Sequence, residues 1–341
     1  MRAMSRLRSI AAILAVVLAS LMWPTLAPAQ GTPVAPASSA TAAPNPTEVT
    51  VGVYVVQLDD PSLKDSQFTA VFWLWFRWKG DRDLNPLKKF EVVGGLVEGI
   101  ENEKTVLGEG ADAVHYQCVK VRSTITQDFD LLDFPIDRHT LEISIEETSD
   151  GAELIRYIPD VNNSKLEDSI SLAGWRIGRT SAVVTTKQYS STFGEPAQVS
   201  GGETKYARFT LQVPVGRPGV GYPLKMFWSL YLSVMVAILA FNIKPIDLDP
   251  RFGLGIGAVF AAMASAFVIS GSLPDGNQVT LADKVVMIAI GTIVASLIQS
   301  IVSLRLHQAG KEAASSRLDR MSLALFTVLY AGVNVWLLRG A

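Results

Sequence analysis

Two regimes of hydrophobic patterning meet at about Pro218. From Glu48 onward, short runs alternate apolar and polar positions: TVGVYVVQL, FTAVFWLWFRW, HYQCVKVRSTI, TLEISIEE, WRIGRTSAVVTT and ARFTLQVPV. Period two places alternate side chains on opposite faces of a strand, and the β-branched and aromatic residues in these runs fit that pleated surface. The breaks DDPSLKD, KGDRDLNP and FGEPAQVSGGE carry turn residues. So many strands with no helical run between them predict one antiparallel β-sandwich over residues 48–218. Beyond Pro218 the alternation is lost. Four long apolar runs follow, Tyr222 to Ile243, Phe252 to Leu273, Val285 to Leu306 and Met321 to Leu338. Each approaches the roughly 20 residues with which an α-helix crosses about 30 Å of hydrocarbon. The expected fold class is therefore an N-terminal extracellular antiparallel β-sandwich followed by a four-helix transmembrane bundle over residues 219–341.

The start of the chain reads as an address. Arg2, Arg6 and Arg8 precede the apolar run Ile10 to Trp23, and Ala27-Pro28-Ala29 offers the small residues that a signal peptidase reads. Residues 1–29 are expected to be a signal peptide cleaved after Ala29; an uncleaved signal anchor is the alternative, although the run is short for a full span. Residues 30–47 are rich in Pro, Ala, Ser and Thr, which cannot bury enough apolar surface to order themselves, and read as a disordered linker. Export would put the sandwich outside. The segment from Arg305 to Arg320, with Lys311 and Arg317, would then lie in the cytoplasm, while LPDGNQVTLAD after the second run would lie outside.

Composition narrows the class. The 341 residues are 49% hydrophobic and 18% charged, and the mean hydropathy of +0.28 is high for a soluble protein of this size. A net charge of -2, without a basic stretch interleaved with aromatics, excludes a nucleic-acid partner. The single cysteine, Cys118, excludes an intrachain disulfide framework and reads as a buried strand thiol. His115, His139 and His307 head no metal-ligand spacing, and no nucleophile elbow or phosphate loop is present, so neither an enzyme nor a cofactor is expected.

One stretch breaks the strand pattern in an informative way. FDLLDFPIDRHTLEI, Phe129 to Ile143, sets a proline and two carboxylates, Asp133 and Asp137, among apolar positions. A solvated loop has no need of Phe134, Ile136 and Leu141; a loop pressed against another part of the protein does. Phe134-Pro135-Ile136-Asp137 with His139 and Leu141 resembles the F-P-x-D-x-Q-x-C loop of the pentameric ligand-gated ion channels, with His139 where Gln is usual. Gln127 and Leu141 stand at the two positions that are cysteines in animal members, so the chain resembles the prokaryotic, disulfide-free branch. Further landmarks occur in order: FWLWFRWKGDRDL resembles the second strand of the family, Arg217 in LQVPVGRPGVGYP precedes the first helix, and Ser272-Leu273-Pro274 ends the second. The resemblance covers nearly all of Thr47 to Arg339.

The resemblance implies a ligand-gated channel subunit in a homopentamer, multi-pass in a bacterial inner membrane with its N-terminal domain periplasmic or extracellular. The implied partners are the lipid bilayer, a small agonist (an amine, a proton or a divalent cation) and permeant ions, expected to be monovalent cations. For coupling, with Pro135 and Pro274 in the set, it implies that Phe134 and Ile136 meet the helix connection Gly271 to Asp283, that Asp137 faces Arg217, and that Lys64 or Asp65 in DDPSLKDSQ touches the same connection. For the agonist site it implies Tyr189, Phe193 and Tyr206 on the hairpin KQYSSTFGEPAQVSGGETKYAR, and Tyr157; aromatic faces suit cationic amines, although Tyr189 and Tyr206 also suit a sandwich core. Trp73, Trp75 and Trp78 read as packing and interface. Counting back from Leu273-Pro274 gives a pore stripe of Gly253, Gly257, Phe260, Ala264, Phe267 and Gly271, spaced as one helical face. Gly253 and Gly257 also form a G-x-x-x-G, which serves close helix packing. The stripe lacks the hydroxyl residues usual in the family. Asp249, with Asp247, stands at the cytoplasmic mouth, where a ring of carboxylates would concentrate cations; Arg251 either faces the axis against them or turns away to pair with an acid. A non-conducting receptor of the same fold is the alternative.

Overall fold

Why the strands form where they do is clearest in β2 (Gln67–Lys79), whose alternate residues Phe68, Ala70, Phe72, Leu74, Phe76 and Trp78 are buried. It pairs with β1 (Thr47–Leu58) and β5 (Val114–Thr126), and the sheet, here sheet A, runs β4 (Gly95–Val106), β5, β2, β1, β7 (Ile155–Pro159), with β8 (Lys165–Leu166) also on β1. Sheet B runs β10 (Ser181–Tyr189), β11 (Thr204–Gly216), β6 (Arg138–Glu147), β3 (Phe90–Val92), with β9 (Arg176–Ile177) on β11. Phe209, Leu211 and Val213 of β11 join Val49, Val51 and Val53 of β1 in one buried cluster. Each such side chain removed from water contributes about 1.5–3 kcal/mol.

The computed structural model describes residues 46–110, 113–148, 151–191, 204–274, 276 and 278–339. The expected leader and most of the linker lie outside the described residues, as does Phe193. All the described residues fall within one compact unit, Pro44–Ala341.

Three features of the β-rich domain differ from the pattern reading. Not every pair is antiparallel: β7 and β8 run parallel to β1. After β6 the chain leaves sheet B through the helical turn Gly151–Leu154 and enters the free edge of sheet A from the other side, a crossover that a hairpin cannot make. Strand β4 carries no alternation because it is an edge strand, mostly exposed, rich in Glu and broken by irregularities at Val97/Gly99 and Glu101/Lys104; charges and bulges protect such edges from further pairing. The run WRIGRTSAVVTT is two strands, β9 and β10.

The C-terminal half is a bundle of four apolar helices, α1 (Gly221–Leu239), α2 (Leu248–Ser270), α3 (Leu281–Gln308) and α4 (Glu312–Arg339). All four are long and apolar enough to cross a membrane. Small residues let them approach: Gly255, Ala258 and Ala262 of α2 and Ala282, Ala289 and Ser296 of α3 are buried. The segment Arg305 to Arg320, read as a connection, is almost wholly helical, with its turn confined to Ala309–Gly310–Lys311, where Gly310 adopts φ 75°. Within it Asp319 is buried in a polar network, while Arg305, Lys311, Arg317 and Arg320 stay exposed. Arg251 is buried and donates to both carboxylate oxygens of Asp319, at 3.0 and 2.7 Å, and to the carbonyl of Ile243. Gln299 and Ser303 also donate to Asp319, at 3.0 and 2.9 Å. Arg251 thus points away from the exposed side of α2 and pairs with an acid.

Candidate pore and coupling site

The loop between β5 and β6 is fastened at both ends before it reaches the helices. Gln127 lies just past β5. Its amide donates to the carbonyl of Thr140 at 2.6 Å and its oxygen accepts from the backbone N–H of Glu142 at 3.0 Å. A side-chain clamp thus closes the loop, with Leu141 buried between the two clamped residues. Within the loop the Phe134–Pro135 peptide is cis and both residues are buried.

At its tip the loop supplies what a helix start lacks. The first turn of α3 has N–H groups without intrahelical partners, and those of Leu281 and Ala282 donate to the carbonyls of Leu132 and Phe134 at 2.9 and 3.0 Å. Thr280 and Asp283 cap the same turn reciprocally in a capping box. The Phe134 ring meets Tyr222 of α1 edge-on, at 6.3 Å between centroids. The loop therefore touches the starts of two helices at once.

Asp137 and Arg217 come together. Asp137 is 1% exposed; one carboxylate oxygen lies 2.6 Å from Nε2 of His139, and the other lies 3.6 Å from Nε of Arg217, an ion pair too long for a hydrogen bond. The backbone N–H of Arg217 donates to the carbonyl of Asp137 at 3.2 Å. The guanidinium of Arg217 is stacked between Trp175 at 3.8 Å and Tyr222 at 4.1 Å, so aromatic faces cover it on two sides. Lys64 and Asp65 are exposed. Asp65 bonds Ser62 at 2.7 Å, and among the described residues neither makes a hydrogen bond or ion pair with the connection between α2 and α3. Pro274 lies in that connection, partly buried.

On α2 the six stripe residues share one fate. Gly253, Gly257, Phe260, Ala264, Phe267 and Gly271 are all exposed, Phe260 at 69% and Phe267 at 81%. The face buried in the protomer is Arg251, Gly255, Ala258, Ala262, Ser265 and Ile269. Each stripe residue follows a buried one by two positions, which at 3.6 residues per turn is about 200° of rotation. The stripe is thus the side of α2 turned away from its own bundle. A Cβ at Gly253 or Gly257 would meet nothing within 4 Å, so within the protomer neither glycine serves close packing. Gly255 does, because a Cβ there would collide with the side chain of Leu297. The hydroxyl of Ser265 is turned inward, 2.9 Å from that of Ser229. Asp247 and Asp249 are exposed at the start of α2, where a carboxylate also complements the helix dipole.

The aromatic candidates divide. Tyr157 is 3% exposed and contacts Phe76 at 6.1 Å, and its hydroxyl is buried without a hydrogen-bond partner. Burial, with the Glu147 and Glu146 carboxylates nearby, pushes that hydroxyl well above the usual phenol range. It also lines a cavity of about 520 Å³ between β7 and β10. Tyr189 and Tyr206 pair edge-on at 6.1 Å on the β10–β11 hairpin, away from that cavity's lining. Pattern reading missed two members of this cluster. Glu146 accepts from Tyr189 at 2.8 Å and from Arg208 at 2.7 Å, and Arg208 also donates to Tyr189. Burial and the bond to Glu146 raise the Tyr189 pKa. No local pattern marks this pair: Glu146 lies beside Glu147 at the end of β6, and Arg208 reaches it only across the β6–β11 ladder.

The tryptophans pack. Trp78 is buried and donates to the carbonyl of Asp81, and Trp75 lies flat over Gly52 and donates to Asp160 at 3.3 Å. Among the described residues no group of His, Cys, Asp and Glu side chains forms a metal site. No family model and no curated protein matches the chain.

Proposed function

We propose that the chain is a subunit of a ligand-gated ion channel in which five copies surround a pore lined by α2. The observation that carries the reading is the two-faced packing of α2: one side is buried among its own helices, and the opposite side presents Gly, Ala and Phe with no cover from the protomer. Five such faces around an axis would make a conduit with rings at Phe260 and Phe267, hydrophobic constrictions of the kind that stop ions by excluding water. Asp249 at one mouth favours cations.

The clamp of the β5–β6 loop on the starts of α1 and α3 supports gating from the β-rich domain, since a shift of sheet B at Arg217 pulls on Tyr222 and Phe134 together. In this reading the two sheets are an extracellular β-sandwich, the agonist binds between neighbouring copies near Tyr189 and Tyr206, and the Arg305–Arg320 turn is cytoplasmic. One observation favours a second reading, a receptor of the same build that does not conduct: the stripe holds no hydroxyl side chain to wet a pore. Purified protein in a planar bilayer, scanned over pH and small amines, separates the two. The channel reading expects unitary currents that appear with one of these agonists; silence under all conditions, with agonist binding retained, supports the receptor.

A further inference from the structure

Asp137 has two partners and bonds only one of them at hydrogen-bond distance. One oxygen of its buried carboxylate lies 2.6 Å from Nε2 of His139, which is buried as well, while the other stops 3.6 Å from Nε of Arg217. Both atoms of the longer contact are buried, and neither has a hydrogen-bond partner. An N–H···O bond spans about 2.7–3.2 Å, so a shift of roughly half an ångström toward Arg217 would complete one bond while stretching the other. The carboxylate thus has two resting places, and what decides between them is the charge on its neighbours.

The imidazole is enclosed. His139 packs against Phe129 at 5.0 Å and Trp175 at 5.7 Å between ring centroids. Trp175 also carries the guanidinium of Arg217, at 3.8 Å. The charged and titratable groups around His139 are Asp137 and Arg138 on its own segment, Arg176 of β9, Arg217 just past the end of β11 and, beyond Arg217, Tyr222 of α1. Asp128 and Asp130, on either side of Phe129, are exposed. Asp137 is therefore the acid that a proton on His139 meets.

A neutral imidazole gives Asp137 an ordinary hydrogen bond, and the full charge of Arg217 is then the stronger pull on the carboxylate. A protonated imidazole gives a charge-assisted bond, about twice as strong, and holds the carboxylate away from Arg217. Imidazole is the side chain whose ordinary titration falls between about pH 5 and 8. We propose that His139 is a proton-operated switch in the β5–β6 loop. Acid fastens Asp137 to His139 and releases Arg217, which stays stacked between Trp175 and Tyr222, and this loosens the link from the loop to the start of α1. The step moves one proton from solvent to the imidazole and breaks no covalent bond. It gives the coupling loop of the proposed channel a regulation of its own and rests on that reading for its purpose. The contacts it changes lie within one chain, so it is measured without currents, and its failure leaves the channel reading standing.

The test uses the full chain in detergent at about pH 8 and about pH 5.5, towards either end of the ordinary imidazole range. Melting temperatures of the wild type, Asp137→Asn, Arg217→Gln and the double variant give the interaction between the two residues at each pH. In the wild-type background the interaction is expected to fall in acid to about half. In a His139→Gln background, where an amide donates to Asp137 without titrating, it is expected to be the same at both. His307→Gln, at the far end of α3, should behave as the wild type. Ring-labelled histidine followed by NMR gives a second reading that needs no variant at Asp137 or Arg217: the resonance lost in His139→Gln should titrate across this window. An interaction that does not weaken in acid overturns the switch, as does one that weakens equally in the His139→Gln background, or a His139 resonance that stays fixed across the window.

Discussion

Asp137 faces two partners of unequal reach, His139 at hydrogen-bond distance and Arg217 at 3.6 Å. Removing one member of a buried pair leaves the other uncompensated, at about 3–5 kcal/mol. Asp137→Asn and Arg217→Gln are each expected to lower the melting temperature or impair gating, with the double variant clearly less than additive. Fully additive effects would remove the pair from the account. Tyr157 gives the opposite kind of prediction. Its hydroxyl is buried without a partner, and such a group costs about 1–3 kcal/mol. Tyr157→Phe should therefore leave the melting temperature unchanged or raise it. A right-shifted agonist response in that variant would restore Tyr157 to the ligand site and contradict its reading as a core residue.

Elements were legible where one periodicity dominated. β2 and β11 show clean alternation because one face of each is buried, and the four helices are long uniform apolar runs. β4 was not legible, since its residues have little to bury, and the parallel β1–β7 pairing is a matter of where the chain crosses between sheets, which no local pattern records. The loop motif Phe134–Asp137 and the α2 stripe were reached through the family resemblance; Glu146 and Arg208 were not, because an acid and a base 62 residues apart become partners only through β6–β11 register. The charged start of α4 was misread as a connection because Asp319 looks like a solvated residue until Arg251, Gln299 and Ser303 are seen around it. That network predicts its own energetics. Arg251→Met or Asp319→Leu alone should cost about 3–5 kcal/mol, and the pair together should recover part of the loss. Melting temperatures of the three variants check this; a double variant no better than the worse single one would mean that the ion pair is not the organising contact.

At the scale of the molecule, the β-rich domain meets the bundle through the β11–α1 junction, where Arg217 stacks on Tyr222, and through the β5–β6 loop, which caps α3, touches α1 and leaves α2 free of backbone hydrogen bonds to it among the described residues. In the proposed assembly this lets the outer helices carry a displacement to the pore helix through packing such as Gly255 against Leu297. The exposed stripe then lines the axis, and its two phenylalanine levels hold the closed state dry. Phe260→Ser puts a hydroxyl at the more central level without touching the buried face of α2. Single-channel recording of the reconstituted wild type and Phe260→Ser is the most direct test. The account predicts a standing leak or opening at lower agonist concentration in the variant, with assembly intact. A Phe260→Ser protein that assembles normally yet leaves conductance and activation unchanged would contradict it, because the stripe would then face lipid or a neighbouring helix and not a pore.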